Sequence, residues 1–145
     1  DAMAIQKFGS AHWTGGLKDG RGKVSTESGA LKDQPYGFKT RFEGVAGSNP
    51  EELIGAAHAA CFTMALSLQL EQEGLKADSL ETKAIVSLDK VGDGFEITAI
   101  ELNLAGTVPG TDAATFKSIA EKAKVGCPVS KALKAVPISL NVTFG

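Results

Sequence analysis

Few side chains in this 145-residue sequence can do covalent chemistry. Cys61 and Cys127 are the only cysteines, and His12 and His58 the only histidines. The thiolate, not the thiol, is the nucleophile, so either sulfur needs help to ionise: a free cysteine with a pKa of about 8.5 is only a few per cent thiolate at neutral pH. A neighbouring guanidinium lowers such a pKa by roughly 1 to 3 units. Arg41, shortly before the segment that carries Cys61, can supply that charge. A carboxylate would hold the arginine by a bidentate pair, and Glu51 or Glu52 can do so. Cys127 has a different aid, because a helix beginning at "PVSKAL" would set its positive end beside the sulfur. By the dipole alone Cys127 is the more acidic thiol. Spacing leaves open which one attacks.

Each of these residues also has a plain structural reading. Cysteine is among the most buried residue types, and Cys61 sits inside the apolar run "NPEELIGAAHAACF" as a piece of core would. Arg41 reads equally as a solvated strand residue, and Glu51 and Glu52 as helix-start residues. His58 and Cys61 share a helix face, and Cys127 with His12 would complete four soft ligands. That spacing matches no zinc pattern and contains no Cys-x-x-Cys, so no metal is expected. His12, beside Trp13, reads as structural. Two cysteines so far apart make no disulfide framework.

The elements that must position these groups follow from local pattern. "AHWTGGL" and "GKVSTES", separated by Asp19-Gly20-Arg21-Gly22, suggest a hairpin. In "FKTRFEG", Phe38, Thr40 and Phe42 alternate with Lys39, Arg41 and Glu43, which predicts a third strand with Arg41 on its polar face. Asn49 then suits a helix N-cap, Pro50 the first helical position, and Glu51 and Glu52 the positive end of the dipole. Asn49 with Glu52 approximates a capping box. From 53 to 70 the helix is apolar nearly all round, so it is expected at the centre, partly covered by a partner chain.

"LETKAIVSLDKVGDGFEITAIELNLAGTV" reads as an antiparallel pair turning at Gly92-Asp93-Gly94. In "TDAATFKSIAEKAKVG", Phe116, Ile119, Ala120 and Ala123 have helical spacing, and Gly126 is a stop. "CPVSKAL" reads as a short helix with Cys127 at the N-cap and Pro128 at N1. "ISLNVTF" alternates Ile138, Leu140, Val142 and Phe144 as a last strand. The order is βββ-α-ββ-αα-β, an α+β fold of two antiparallel sheet segments around a long central helix.

The composition is 43% apolar and 22% charged with a net charge of −2, and no basic block offers nucleic acid a footing. The length fits one domain over 1–145. With no run of 18 purely apolar residues and no leader pattern, a soluble cytoplasmic protein without a membrane partner is expected. Asp1 and Ala2, before Met3, read as a cloning scar.

"NPEELIGAAHAACFTMALS" and "GCPVSKAL", with "PYGFKTRFEG" upstream, resemble the family of osmotically inducible protein C (OsmC) and organic hydroperoxide resistance (Ohr) proteins. The resemblance runs over residues 11–144, and "GKVSTESGALKDQPYGFKTRFEG" looks most like the OsmC branch. It implies a thiol-dependent peroxidase acting on organic hydroperoxides in the bacterial cytoplasm. It further implies an intertwined homodimer with sites near the subunit interface, no metal, flavin or haem, and a dithiol reductant, lipoyl in kind. Carried over by position, Cys61 is the attacking thiol, Cys127 the resolving one, and Arg41 with Glu51 the activating pair. Phe62 and Met64 would favour an alkyl-bearing peroxide, although at helical spacing they are equally ordinary core residues.

The resemblance carries a geometric condition. Glu51 and Cys61 are ten residues apart, about 15 Å along an unbroken helix. Either the helix breaks or bends near Gly55, or the Arg41–Glu51 pair reaches a Cys61 of the partner subunit. Cys61 itself is expected to be largely covered yet open to a narrow pocket. The competing class is a noncatalytic module whose apolar dimer cleft holds a fatty or aromatic ligand, with the thiols merely lining it.

Overall fold

The first sheet forms around Trp13. In a computed structural model, which describes residues 3–145, β1 (Gly9–Thr14), β2 (Arg21–Thr26) and β3 (Gln34–Tyr36) pair antiparallel in that order. The reading of Asp1 and Ala2 as a scar lies outside the described residues. Gly22 on β2 faces the Trp13 and Tyr36 rings, which pack 5.5 Å apart. A Cβ there would overlap both rings, so the close approach requires glycine. Pro35 lies in β3, at an edge of the sheet, where its missing N–H does least harm.

The expected third strand over "FKTRF" is instead a short helix, α1 (Phe38–Phe42). The alternation that suggested a strand is only five residues long, and over that span positions 38 and 42 also share a helix face. There the Phe38 and Phe42 rings stack with centroids 5.0 Å apart. Thr40 fixes the start of the turn: its hydroxyl accepts from the Gly37 N–H at 2.9 Å. The third strand is supplied by Gln34–Tyr36, so the order becomes βββ-αα-ββ-αα-β.

α2 (Pro50–Gln72) starts where the sequence placed it, with Asn49 Oδ1 accepting from the Glu52 N–H at 2.8 Å. The chain forms two compact units, Asp1–Leu53 and Ile54–Gly145, and most of α2 belongs to the second. In that second unit β4 (Ser79–Val91) and β5 (Gly94–Thr107) form the expected antiparallel pair, turning at Gly92, which has φ +60°. β6 (Ile138–Phe144) joins β5 in parallel, which makes this sheet mixed. A parallel neighbour needs a crossover, and α3 (Ala113–Gly126) with α4 (Pro128–Ala132) provides it.

Ile100, Leu102 and Leu104 of β5 point to one face, as period-2 alternation requires. Against them pack Phe62, Leu66 and Leu70 of α2 and the expected stripe of α3: Phe116, Ile119, Ala120 and Ala123. α2 buries only one stripe, Gly55, His58, Phe62, Leu66 and Leu70. Away from it, Met64 and Leu68 are 76% and 55% exposed. By length and hydropathy α2 would pass for a membrane span. Its buried stripe makes it the core helix of this unit.

Candidate active site

The four residues singled out for chemistry form two pairs. The first lies where α1 meets the start of α2. Arg41 Nε donates to Glu51 Oε1 at 3.0 Å and Arg41 Nη2 to Glu51 Oε2 at 2.9 Å, a bidentate fork. Two hydrogen bonds tie the segment just before Glu51 to α1 and β3. Asn49 Nδ2 donates to the Thr40 carbonyl at 3.2 Å, and Ser48 Oγ to the Pro35 carbonyl at 2.8 Å. Of the two carboxylates left open by residue type alone, Glu51 takes the arginine. Glu52 contributes its backbone N–H to the Asn49 cap. The Glu51 side chain is 11% exposed against 37% for Arg41, so the guanidinium is turned partly toward solvent.

The second pair is the two thiols. Cys127 is fully buried, Cys61 half-buried, and neither is in a disulfide. Cys127 closes α3 and opens α4 at once. Its N–H donates to the Ala123 carbonyl at 2.9 Å, and its own carbonyl accepts from the Lys131 N–H at 3.0 Å. Pro128 at N1 suits that abrupt change of direction. The Cys127 side chain and the Val129 backbone both lie beside the Cys61 sulfur. Burial and the Cys127 side chain push the Cys61 thiol up from its ordinary value, against a smaller opposing effect of the Val129 backbone. The expected acidified Cys61 is therefore not what its surroundings in one chain produce. Those surroundings favour the protonated sulfur.

A third polar pair escaped the sequence reading. His58, fully buried on α2, has its Nε2 2.8 Å from Ser130 Oγ of α4, whose residue is 6% exposed. His58 Nδ1 is buried without a hydrogen-bond partner, and burial lowers the imidazole pKa. The residues are 72 positions apart, beyond any local pattern. The only signal was a histidine on an apolar face one turn before a cysteine. His12 is exposed on β1, and among the described residues no three His, Cys, Asp or Glu side chains gather as metal ligands.

Two further expectations meet the geometry. α2 is helical throughout Pro50–Gln72, without a break near Gly55. Gly55 serves closeness instead: a Cβ there would lie 3.1 Å from the Ala84 carbonyl of β4. Phe62 is fully buried core, whereas Met64 faces outward. Beside Met64 lies a shallow cleft of about 470 Å³ formed by Ala59, Ala60, Thr63, Ser67, Leu80 and Thr82; Cys61 does not line it.

The site thus belongs to an α+β fold that brings two free thiols together at the junction of α3 and α4. Residues 43–141 match the family described as OsmC-like protein, and the chain belongs to that family. It is 63% identical over 133 residues to peroxiredoxin OsmC of Escherichia coli (strain K12), covering 92% of this chain and 93% of that one. It is 36% identical over 99 residues to an organic hydroperoxide resistance protein of Xanthomonas axonopodis pv. citri (strain 306), covering 68% and 66%. Among solved structures, the organic hydroperoxide resistance protein OhrB of Bacillus subtilis superposes with a TM-score of 0.70 at 28% identity, covering 94% of this chain and 98% of that one. The likeness is stronger toward the OsmC relative than toward the Ohr one, as "GKVSTESGALKDQPYGFKTRFEG" led us to expect.

Proposed function

We propose that the protein is a cysteine-based peroxidase that reduces organic hydroperoxides to alcohols, with Cys61 attacking and Cys127 resolving. The apposition of Cys61 and Cys127 carries the reading. The relatives named for peroxiredoxin activity and organic hydroperoxide resistance support it. The Cys61 thiolate attacks the terminal peroxide oxygen and the O–O bond breaks. The alkoxide leaves and takes up a proton as the alcohol, and Cys61 becomes a sulfenic acid. The Cys127 thiol then attacks that sulfur, water leaves, and the Cys61–Cys127 disulfide remains. A dithiol reductant, lipoyl in kind, opens it by exchange and is itself oxidised to a disulfide.

The half-buried Cys61 has the greater access and fits the attacking role, and the fully buried Cys127 fits the resolving one. Cys61 still needs a positive charge. The fork holds Arg41 at Glu51, ten residues back along an unbroken α2, about 15 Å. We therefore assign the Arg41–Glu51 pair to Cys61 of the partner subunit in a homodimer. The exposed Met64 and Leu68 on α2 favour such a partner. Two free thiols suit the reducing bacterial cytoplasm. The family match over 43–141 spans both compact units and favours one OsmC-like domain.

The test is consumption of tert-butyl hydroperoxide with a dihydrolipoyl dithiol. Cys61→Ser is expected to lose turnover, and Cys127→Ser to retain a single round or a slow residue. Undiminished activity in Cys61→Ser would move the attack to Cys127. An inactive wild type with both thiols intact would favour a noncatalytic hydrophobic-ligand module.

A further inference from the structure

The His58–Ser130 bond joins the two elements that carry the cysteines. On α2, His58 and Cys61 are three residues apart, about 4.5 Å of rise. Both meet the first turn of α4. Cys61 meets it at the Cys127 side chain and the Val129 backbone, and His58 meets it at Ser130 Oγ. These contacts form a clip two points wide. α4 is only five residues long, too short to hold its own geometry. Both partners of the His58 contact are buried, so water does not compete for it. The unpartnered Nδ1 bears on which atom donates. In a neutral ring, a buried bare lone pair costs less than a buried N–H with no acceptor. His58 Nε2–H therefore donates and Ser130 Oγ accepts.

We propose that His58 is a positioning residue for the second chemical step: its hydrogen bond to Ser130 holds the first turn of α4 against α2, so that the Cys127 thiol stays in reach of the Cys61 sulfenic acid. The proposal rests on the peroxidase reading above. In that step the Cys127 sulfur bonds to the Cys61 sulfur, the S–O bond breaks, and the hydroxyl leaves with the Cys127 proton as water. A sulfenic acid left waiting meets a second peroxide and becomes a sulfinic acid, which a dithiol does not reduce. The clip thus governs how the oxidised site partitions, and not how fast it is first oxidised.

The experiment follows sulfenic acid, disulfide and sulfinic acid by intact-mass spectrometry after mixing reduced protein with cumene hydroperoxide. Ser130→Ala and His58→Leu are each expected to slow disulfide formation on the order of tenfold, the scale of one lost buried hydrogen bond. Cys61 sulfinic acid should accumulate, while sulfenic acid forms at the wild-type rate. Ser130→Thr, which keeps the hydroxyl, and His58→Gln, which keeps a donor, should restore the disulfide. Disulfide formation at the wild-type rate in Ser130→Ala would overturn the proposal. So would equal slowing of both steps, or loss of fold in both bond-breaking variants, because each makes the pair merely structural. If only Ser130→Ala fails to fold, His58→Leu decides by the same split. A wild type that forms sulfenic and sulfinic acid but no disulfide would overturn the two-cysteine reading itself, a result visible without any variant.

Discussion

A thiol kept protonated by its surroundings is a poor nucleophile at neutral pH, and Cys61 is such a thiol in a single chain. Each pKa unit is about 1.4 kcal/mol between the two protonation states, so one guanidinium at close range can reverse the balance. If the partner's Arg41 does this, Arg41→Ala should slow peroxide attack at pH 7 roughly 10- to 1000-fold. The midpoint of the rate–pH profile should move up, because a raised thiol pKa delays the thiolate to higher pH. A slower rate with an unmoved midpoint would show that Arg41 orients the peroxide without ionising the sulfur. His58 has the opposite charge logic. Burial lowers its pKa, so the folded chain resists a proton that the unfolded chain accepts. Stability should begin to fall as pH drops below about 6.5, the unfolded value, by at most about 1.4 kcal/mol per pH unit. The loss should level off once the lowered folded value is reached. Urea unfolding across pH 4–8 checks this, and His58→Gln should lack that component.

Secondary structure followed the sequence where a cap or a long period set it. The Asn49 cap fixed the start of α2, and the stripe of Phe116, Ile119, Ala120 and Ala123 read as α3 and buries as α3. Cys127 followed by Pro128 read as the opening of a short helix, and does open α4. Over "FKTRF" the pattern misled, because five residues are too few to separate a period of 2 from one of 3.6. There the Phe38–Phe42 stack and the Thr40 hydrogen bond decided for helix. The Arg41–Glu51 pairing survived that error, since it needs only closeness to the start of α2. The parallel seating of β6 and the His58–Ser130 bond had no local signal at all, because both depend on residues brought together across the fold. Contacts of that kind can still be tested one element at a time. Gly106 of β5 lies against the Phe116 ring of α3, and a Cβ there would enter the ring. Gly106→Ala is expected to destabilise the second unit by about 1–3 kcal/mol, as overpacking does. Phe116→Leu in the same chain should recover part of that loss in thermal unfolding.

At the scale of the whole molecule, α2 has more apolar surface than its own unit covers. Gly55, His58, Phe62, Leu66 and Leu70 are buried, while Met64 and Leu68 stand out by 76% and 55%. If this surface is the seam of the proposed homodimer, Met64→Glu is expected to shift the protein toward monomer in sedimentation, and to slow turnover with it if the site is shared. Sharing itself has a sharper signature. Take two weakened proteins, Cys61→Ser and Arg41→Ala, and refold them together in equal amounts so that subunits exchange. Half of the dimers are then mixed. If Arg41 serves the partner's Cys61, each mixed dimer has one intact site, in which the Cys61 of the Arg41→Ala chain faces the Arg41 of the other. The mixture should then reach about one quarter of wild-type turnover, the statistical value for a symmetric dimer. If Arg41 serves Cys61 of its own chain, no mixed dimer holds an intact site. Turnover would then stay at half that of the Arg41→Ala protein alone. The two outcomes separate widely when Arg41→Ala is weak, which the raised pKa of Cys61 leads us to expect.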